Sequence, residues 1–362
     1  MLKTFFSCLL STLILNSCSN SATKQSNSNH SIQFIDKVTI SNDQLIDSTI
    51  IGGFSSIDYL GDNKYVMISD DRSEFSPARF YEMTINIDST SILNYEFDNT
   101  IFLKNKEGDY FMKDELDPES IRYRASTNTY FYTSEGGRTE EWINPFVWEM
   151  NRAGDFISEV QIPNIFFFND DKGVRENGGF ESLTFENDTI IWYANELPLK
   201  EDGEVPSFEE AQYPVRLVRQ DIKNSIVLNQ YVYNISLLNE RPNPSDGFYI
   251  NSVPEILYIE ENKLWVMERS YTKGVGNFIK VFEIEMTNAT DVKDLKALTE
   301  QDYKTVTKKL FIDFSDFNQK LDNIEGMTFG PVFPDGSKSL LFVSDDNFSE
   351  EQETQLWLFK VD

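Results

Sequence analysis

The chain has 362 residues, and its 60 acidic against 32 basic side chains leave a formal charge of -28 at neutral pH. That balance argues against nucleic acid or anionic lipid as a partner and favours cations, or substrates presented with cations. Only two cysteines and one histidine occur, and their positions exclude several kinds of catalysis.

Met1, Leu2 and Lys3 precede an apolar run from Phe5 to Leu15, which ends in Leu15-Asn16-Ser17-Cys18. These are the charged, apolar and small-residue regions of a secretory signal. The run is too short to span a bilayer as a mature helix. Its ending resembles the lipobox of bacterial lipoproteins, which implies cleavage before Cys18 and a lipid on its thiol. An ordinary secretory signal with an incidental cysteine is the alternative. Ser19 to Ser31 are almost all Ser, Asn, Thr, Gln and Lys, a composition that cannot bury a core and acts as a linker. No acidic cluster follows Cys18, so the expected place is the bacterial cell envelope, lipid-anchored at the outer membrane and facing the periplasm. The chain then divides into a signal peptide (1–17), a lipidated cysteine with its linker (18–31) and one domain (32–362).

Cys8 leaves with the signal, Cys18 is taken by lipid and His30 lies in the linker. The domain therefore has no disulfide, cysteine nucleophile, Ser-His-Asp triad or His-ligated zinc. A metal held by oxygen ligands alone points to Ca²⁺ or Mg²⁺.

Within the domain a unit recurs at roughly 60 to 75 residues, the mark of stacked supersecondary units. Five copies open with Gly53-Phe54-Ser55-Ser56-Ile57, Asp117-Pro118-Glu119-Ser120-Ile121, Gly179-Phe180-Glu181-Ser182-Leu183, Val253-Pro254-Glu255-Ile256-Leu257 and Asn323-Ile324-Glu325-Gly326-Met327. Each continues into an apolar strand that ends in polar residues, as in Tyr65 to Asp71 and Leu340 to Asp346, and then a third strand such as Arg79 to Met83. A fourth strand reads as Tyr95 to Leu103, Phe156 to Ile162, Ile226 to Tyr233 and Val306 to Phe314 in the first four units. Such repeats, rich in β-branched and aromatic residues, predict an all-β fold of the β-propeller type. The last unit ends one strand short, so the segment Ile32 to Ile40 is expected to complete it and close a ring of five blades. A sixth blade near Leu199 to Gln212 or Arg241 to Tyr249 is the alternative, and Val292 to Tyr303 reads as a short helical insertion.

In a propeller the innermost strands line a central channel, and the repeated acids fall at their entrances. Glu119, Glu181, Glu255 and Glu325 form one ring, with Ser55 at the matching place in the first unit. Asp70/Asp71, Glu135, Asn195/Glu196, Glu268/Arg269 and Asp345/Asp346 form a second. Converging carboxylates raise one another's pKa unless a cation or hydrogen bonds compensate. Asp70, Glu119, Glu255, Glu325 and Asp345 are the candidate metal ligands, and each could equally staple a neighbouring blade. Arg72, Arg79, Arg122, Arg138 and Arg269 are the cations nearest these acids and can hold phosphate or carboxylate, or pair with the acids themselves.

Gly53 to Tyr59, Ser69 to Arg72, Pro77 to Tyr81, Asp117 to Ile121, Asn177 to Leu183, Met267-Glu268-Arg269, Asn323 to Pro331, Ser344 to Phe348 and Gln352 to Gln355 together resemble the phytase-like family described as having esterase-like activity. The resemblance covers nearly all of the domain. It implies a propeller whose motif Glu and Asp residues serve phosphodiester or ester hydrolysis. Ser120 and Ser182 stand where a Gly commonly follows the Glu, and Ser55 leaves the ring of acids incomplete.

The expected activity is hydrolysis of a phosphoester or ester with Ca²⁺ in the funnel, Glu181 or Asp71 as base and Arg72 or Arg269 opposite the developing oxyanion. The lack of a dense Lys/Arg cluster favours a small-molecule ester over a polyanion such as phytate. A non-catalytic, membrane-tethered binding propeller with structural calcium is the alternative. A lactone hydrolase of the six-bladed kind, with Asn195 at its metal, is a third.

Overall fold

A computed structural model describes residues 31–41, 45–238 and 240–362; the signal segment, with Cys18 and His30, lies outside the described residues. Twenty strands make five four-stranded antiparallel sheets. Blade 1 runs through Phe54–Gly61, Lys64–Ser69, Arg79–Ile87 and Ile92–Phe102. Blade 2 uses Pro118–Arg124, Thr129–Ser134, Phe146–Met150 and Phe156–Glu159. Blade 3 uses Phe180–Asn187, Ile190–Asn195, Pro214–Asp221 and Ile226–Asn234. Blade 4 uses Tyr249–Glu260, Lys263–Thr272, Gly276–Glu285 and Thr307–Asp313.

Blade 5 takes Asn323–Val332, Lys338–Asp345 and Thr354–Val361 from the C-terminus and Ile32–Ile40 as its outermost strand. Ile32 pairs with Val361 and Ile40 with Thr354, so the ring closes as the sequence predicts. Each innermost strand contacts the next around the ring, and blade 5 contacts blade 1. No sixth blade forms: 199–212 and 241–248 carry no strand and are connecting loops, the first within blade 3 and the second leading into blade 4.

The core lies between blades. Side chains alternate across a strand, so in the second strand of blade 1 Tyr65 and Met67 enter the layer against blade 5, whereas Val66 and Ile68 enter the layer against blade 2. Burial on both faces explains why these strands read as unbroken apolar runs. Equivalent layers join blades 2 and 3, blades 3 and 4, and blades 4 and 5. In the last of these, Trp265 stacks on Phe311 with ring centroids 4.3 Å apart and contacts Phe329 of blade 5.

The expected helix at 292–303 is reduced to a single 3₁₀ turn, Leu298–Glu300. The insertion 286–306 instead runs along the outer strand of blade 3. There Val292 N–H donates to Gln230 O and Val306 N–H to Val232 O. A helix would have spent those donors internally; the extended path covers a strand edge that would otherwise be open.

Strand direction alternates within a blade, so two sets of loops reach opposite ends of the channel. Turns at 62–63, 125–128, 188–189 and 261–262 keep one end short. The other end carries the longer segments 70–78, 135–145 and 196–213 and the connections between blades. The acids gather at this second end.

Candidate functional site

One backbone irregularity positions the acids. In every innermost strand the register slips where the strand enters the funnel. Phe54 pairs with Ser69 and Ser56 with Ile68, so Ser55 is left over. The same slip leaves Glu119 with Ser120, Glu181 and Glu325 unpaired in blades 2, 3 and 5. A β-bulge bends the strand and re-aims its extra side chain, which turns these glutamates to the funnel. In blade 4 the bulge holds Val253 and Pro254, and Glu255 returns to the ladder opposite Met267.

The second set of acids follows the second strands: Asp70, Glu135, Glu196 and Asp345. Asp117 joins them from the residue before the blade 2 strand. Ligand oxygens of Asp117, Glu119 and Glu135 lie within 4.8 Å of one another, as do those of Glu135, Glu181 and Glu196, and all five side chains are buried. Glu135 belongs to both groups. Its Oε1 also accepts Gly179 N–H at 2.6 Å. A side chain at Gly179 would meet the Glu135 Cα at 2.8 Å, so this approach requires glycine.

Three arginines lie among the acids. Arg72 Nε is 2.8 Å from Asp117 Oδ1, and Arg138 Nη2 is 3.0 Å from Asp117 Oδ2 and 3.4 Å from Glu135 Oε2. Arg269 Nη2 is 3.1 Å from both Glu196 Oε1 and Glu325 Oε1. Asn323 Nδ2 donates to Glu325 at 2.9 Å and to Asp345 at 3.2 Å. Glu181 faces Glu196, Glu135, Glu325 and Arg269 through charge alone and accepts no hydrogen bond among the described residues.

Eight carboxylates (Asp70, Asp117, Glu119, Glu135, Glu181, Glu196, Glu325 and Asp345) thus share three guanidinium groups. Burial pushes Asp70, Glu119, Glu135, Glu181 and Asp345 well above the ordinary carboxylate range, and repulsion from neighbouring acids adds to it. Burial lifts Glu325 to about 6 although Arg269 pulls it down. Beside them, the buried Asp346 Oδ2 has no hydrogen-bond partner. A set of hard oxygen donors with more negative charge than its cations balance fits Ca²⁺ or Mg²⁺.

The structure therefore brings together Asp70, Glu119, Glu181, Glu325, Asp345, Arg72 and Arg269 of the residues singled out from sequence, and sets two apart. Asp71, expected as a base, is buried and holds the loop that follows it. Its Oδ1 accepts from Glu74 N–H at 2.7 Å and Phe75 N–H at 3.1 Å, and its Oδ2 accepts from Ser76 N–H at 2.9 Å and Arg79 Nη1 at 2.6 Å. With four donors it has no lone pair directed at a substrate. Glu255, expected as a metal ligand, faces the channel wall, where Arg122 Nη2 lies 2.5 Å and Ser56 Oγ 3.1 Å from its Oε2. Burial lifts its carboxyl to about 7, with Arg122 opposing.

Asp117, Glu135 and Glu196 lie outside the set of metal ligands that the sequence predicts. The signal existed for the last two, since the ring at the ends of the second strands contains them. Asp117 sits one residue before a strand, and only the fold brings it beneath Arg72 and Arg138.

A family model described as phytase-like, esterase-like activity of phytase, matches residues 49–348. No curated protein matches the chain. Among solved structures, a GH43_12 protein from capybara gut metagenome is 11% identical, with a TM-score of 0.42 over 85% of this chain and 51% of its own. This chain thus spans about half the length of that protein. The soluble aldose sugar dehydrogenase of Escherichia coli is 10% identical, with a TM-score of 0.39 over 92% of this chain and 99% of its own. A protein of unknown function from Dyadobacter fermentans is 8% identical, with a TM-score of 0.41 over 91% and 99%.

Proposed function

The chain belongs to the phytase-like family, and from that premise we propose that it is a divalent-cation-dependent hydrolase of a phosphoester or ester, with Ca²⁺ as the cation. The observation that carries this reading is the pair of buried carboxylate groups sharing Glu135 at the mouth of the channel. Asp117, Glu119, Glu135 and Glu196 would hold the cation, with Asp70, Glu325 and Asp345 beside them. Such a cation would supply charge stabilisation at a phosphoryl or acyl oxygen. Glu181, free of hydrogen bonds and raised in pKa, is suited to hold and release a proton. Arg269, paired through Nη2 with Glu196 and Glu325, keeps part of its side chain exposed at the same mouth and can face an anionic oxygen there.

A lipid anchor at Cys18 is part of the proposal and is supported by the sequence ending in Leu15-Asn16-Ser17-Cys18. Strand Ile32–Ile40 begins at the end of the ring opposite the funnel, because its partner Val361 ends a strand that starts at the funnel end. A tether entering there leaves the funnel facing away from the attachment point.

The test is calorimetric titration of the metal-stripped protein with Ca²⁺ and Mg²⁺, followed by turnover of chromogenic phosphomonoesters, phosphodiesters and carboxylic esters. Cation binding and cation-dependent turnover that Glu181→Gln removes are expected. A protein that binds neither cation, or turns over an ester equally well in chelator, overturns the reading.

A further inference from the structure

The aromatic side chains left exposed among the described residues are Phe75, Tyr110, Trp142, Phe248 and Tyr249. All of them stand at the funnel end of the ring, on the loops 70–78 and 135–145, on connections between blades and at the first residue of blade 4. At the opposite end the exposed apolar residues are aliphatic, such as Leu93, Ile157 and Ile226.

One of these rings adjoins the carboxylates. Phe75, 52% exposed, packs on Phe348 with ring centroids 4.7 Å apart and planes tilted by 34°. Neither phenyl belongs to the apolar layers between blades, so the pair is not an outcrop of the core. A side chain at Gly53 would collide with both Asp70 Oδ1 and Phe348 Cε2. Funnel acid and ring edge therefore meet over that glycine.

The same device holds both rings in place. Asp71 follows Asp70 after the second strand of blade 1 and accepts Phe75 N–H at 3.1 Å. Asp346 follows Asp345 at the matching place in blade 5, and its Oδ1 accepts Phe348 N–H at 3.1 Å and Gly53 N–H at 2.9 Å. The turn carries Asn347 at φ 48° and Phe348 at φ 51°. That left-handed region suits asparagine but is an outlier for a bulky side chain, and Phe348 is the one apolar residue in it among the described residues. Strain of this kind gathers at ligand-binding positions. Buried Arg79, held by Asp71, backs the Phe348 ring at 5.9 Å from its centroid.

Two phenyl rings offer no hydrogen bond, so what they favour is a further apolar ring, offset-stacked or edge-on. Resting on the hydrolase reading of the funnel, we propose that Phe75 and Phe348 determine specificity by receiving an aromatic ring on the alcohol side of the ester, the side that phosphoesters and carboxylic esters share. Hydrolysis adds water across the ester bond and releases that ring as its alcohol.

The test uses the full-length protein with benzyl and ethyl acetate and with benzyl and ethyl phosphate, each pair differing only in the alcohol, together with ligand-observed NMR of benzyl alcohol in chelator. In whichever pair is turned over, the benzyl ester has the lower KM by roughly two- to tenfold, the worth of one aromatic contact. Phe75→Ala raises the benzyl KM to that of the ethyl ester, and Phe75→Tyr, which keeps the ring, does not. Benzyl alcohol binds in chelator, loses that binding with Phe75→Ala and keeps it with Glu181→Gln. Equal KM values for the benzyl and ethyl esters, no binding of benzyl alcohol, or a benzyl preference that survives Phe75→Ala overturns the proposal. The NMR measurement needs neither cation nor turnover. If no ester is turned over while benzyl alcohol binding depends on Phe75, the hydrolase reading falls and the ring site stands; turnover without benzyl preference has the opposite meaning.

Discussion

Arg122 of blade 2 reaches across the central channel to Glu255 of blade 4, with Nη2 2.5 Å from Oε2, while its Nη1 donates to Ser56 Oγ and Ile57 O of blade 1 at 3.0 Å. Nη2 also donates to Met327 O of blade 5 at 3.4 Å, so one side chain ties four blades where no backbone ladder connects them. Removing only the cation leaves a buried carboxylate, which typically costs about 3–5 kcal/mol. Arg122→Met is expected to lower the melting temperature, and more strongly at pH 8 than at pH 5, because the unpaired Glu255 tolerates the lower pH by taking a proton. Arg122→Met with Glu255→Leu should recover most of the loss. Thermal melts of the two variants decide it; equal melting temperatures would mean that the pair is not coupled.

The ring of blades was legible because each blade repeats a short motif, and because two-sided burial leaves apolar runs at matching places. The closing strand was legible from a missing partner. The division of labour among the acids was not. Glu255 occupies the same place in its motif as Glu119 and Glu181, yet Val253 and Pro254 take the bulge in its strand, and that register change sends Glu255 into the channel instead of the funnel. Asp71 and Asp70 are adjacent in sequence, and the turn of one residue separates a funnel acid from a loop staple. The insertion at 286–306 misled for a related reason: its apolar spacing suits a helix, but the open edge of Ile226–Asn234 claims its backbone donors.

Asp71 and Arg79 are both fully buried and paired at 2.6 Å. Arg79 also donates to Ile50 O at 2.6 Å and Tyr81 Oη at 2.5 Å, so the pair fixes the funnel loop 70–78 to the connection that leaves blade 5. Asp71→Asn is expected to destabilise by roughly 3–5 kcal/mol, the cost of a buried charge without its partner. The loss should be the same with and without Ca²⁺. A melt unchanged by the substitution, with activity abolished, would restore Asp71 as a catalytic base.

The funnel acids make stability fall as pH rises. Their folded-state pKa values lie above the unfolded ones, so the native state binds more protons between the two, and ΔG of unfolding decreases with pH across that window. For Glu325 the window runs from 4.5 to about 6, and Asp70, Glu119, Glu135, Glu181 and Asp345 extend the effect upward. The metal-stripped protein should therefore melt at a higher temperature near pH 5 than near pH 7. Saturating Ca²⁺ should flatten or reverse that slope, since a bound cation favours the ionised form. A melting temperature that rises from pH 5 to pH 7 in chelator would contradict it.

Strand Ile32–Ile40 closes the ring noncovalently in sequence terms, joining the start of the domain to its end. Phe34 packs on Trp357, Phe359 and Phe317 with ring centroids 5.5 to 5.8 Å apart. Deleting 32–40 exposes both this apolar face and the edge of Thr354–Val361, a template for pairing with another chain. The truncated protein is expected to aggregate, measured by light scattering after refolding, whereas a protein that begins at Ser31 stays soluble. A truncated form that remains soluble with an unchanged melt would show that four blades and a three-stranded fifth suffice.

Glu135 is the residue whose loss separates stability from function most cleanly. It belongs to both carboxylate groups, so Glu135→Gln removes a ligand from each and should weaken cation binding by about tenfold or more, in line with the loss of one charge at a multi-carboxylate site. The same substitution relieves repulsion from Asp117 and Glu196 and keeps an oxygen that can accept Gly179 N–H. The metal-stripped variant should therefore melt at or above the parent at pH 7, while the rise in melting temperature on adding Ca²⁺ is lost, because ligand stabilisation follows affinity. A variant that melts well below the parent in chelator would make Glu135 a structural staple between blades 2 and 3, held there by Gly179, and would shift the cation site to the remaining acids.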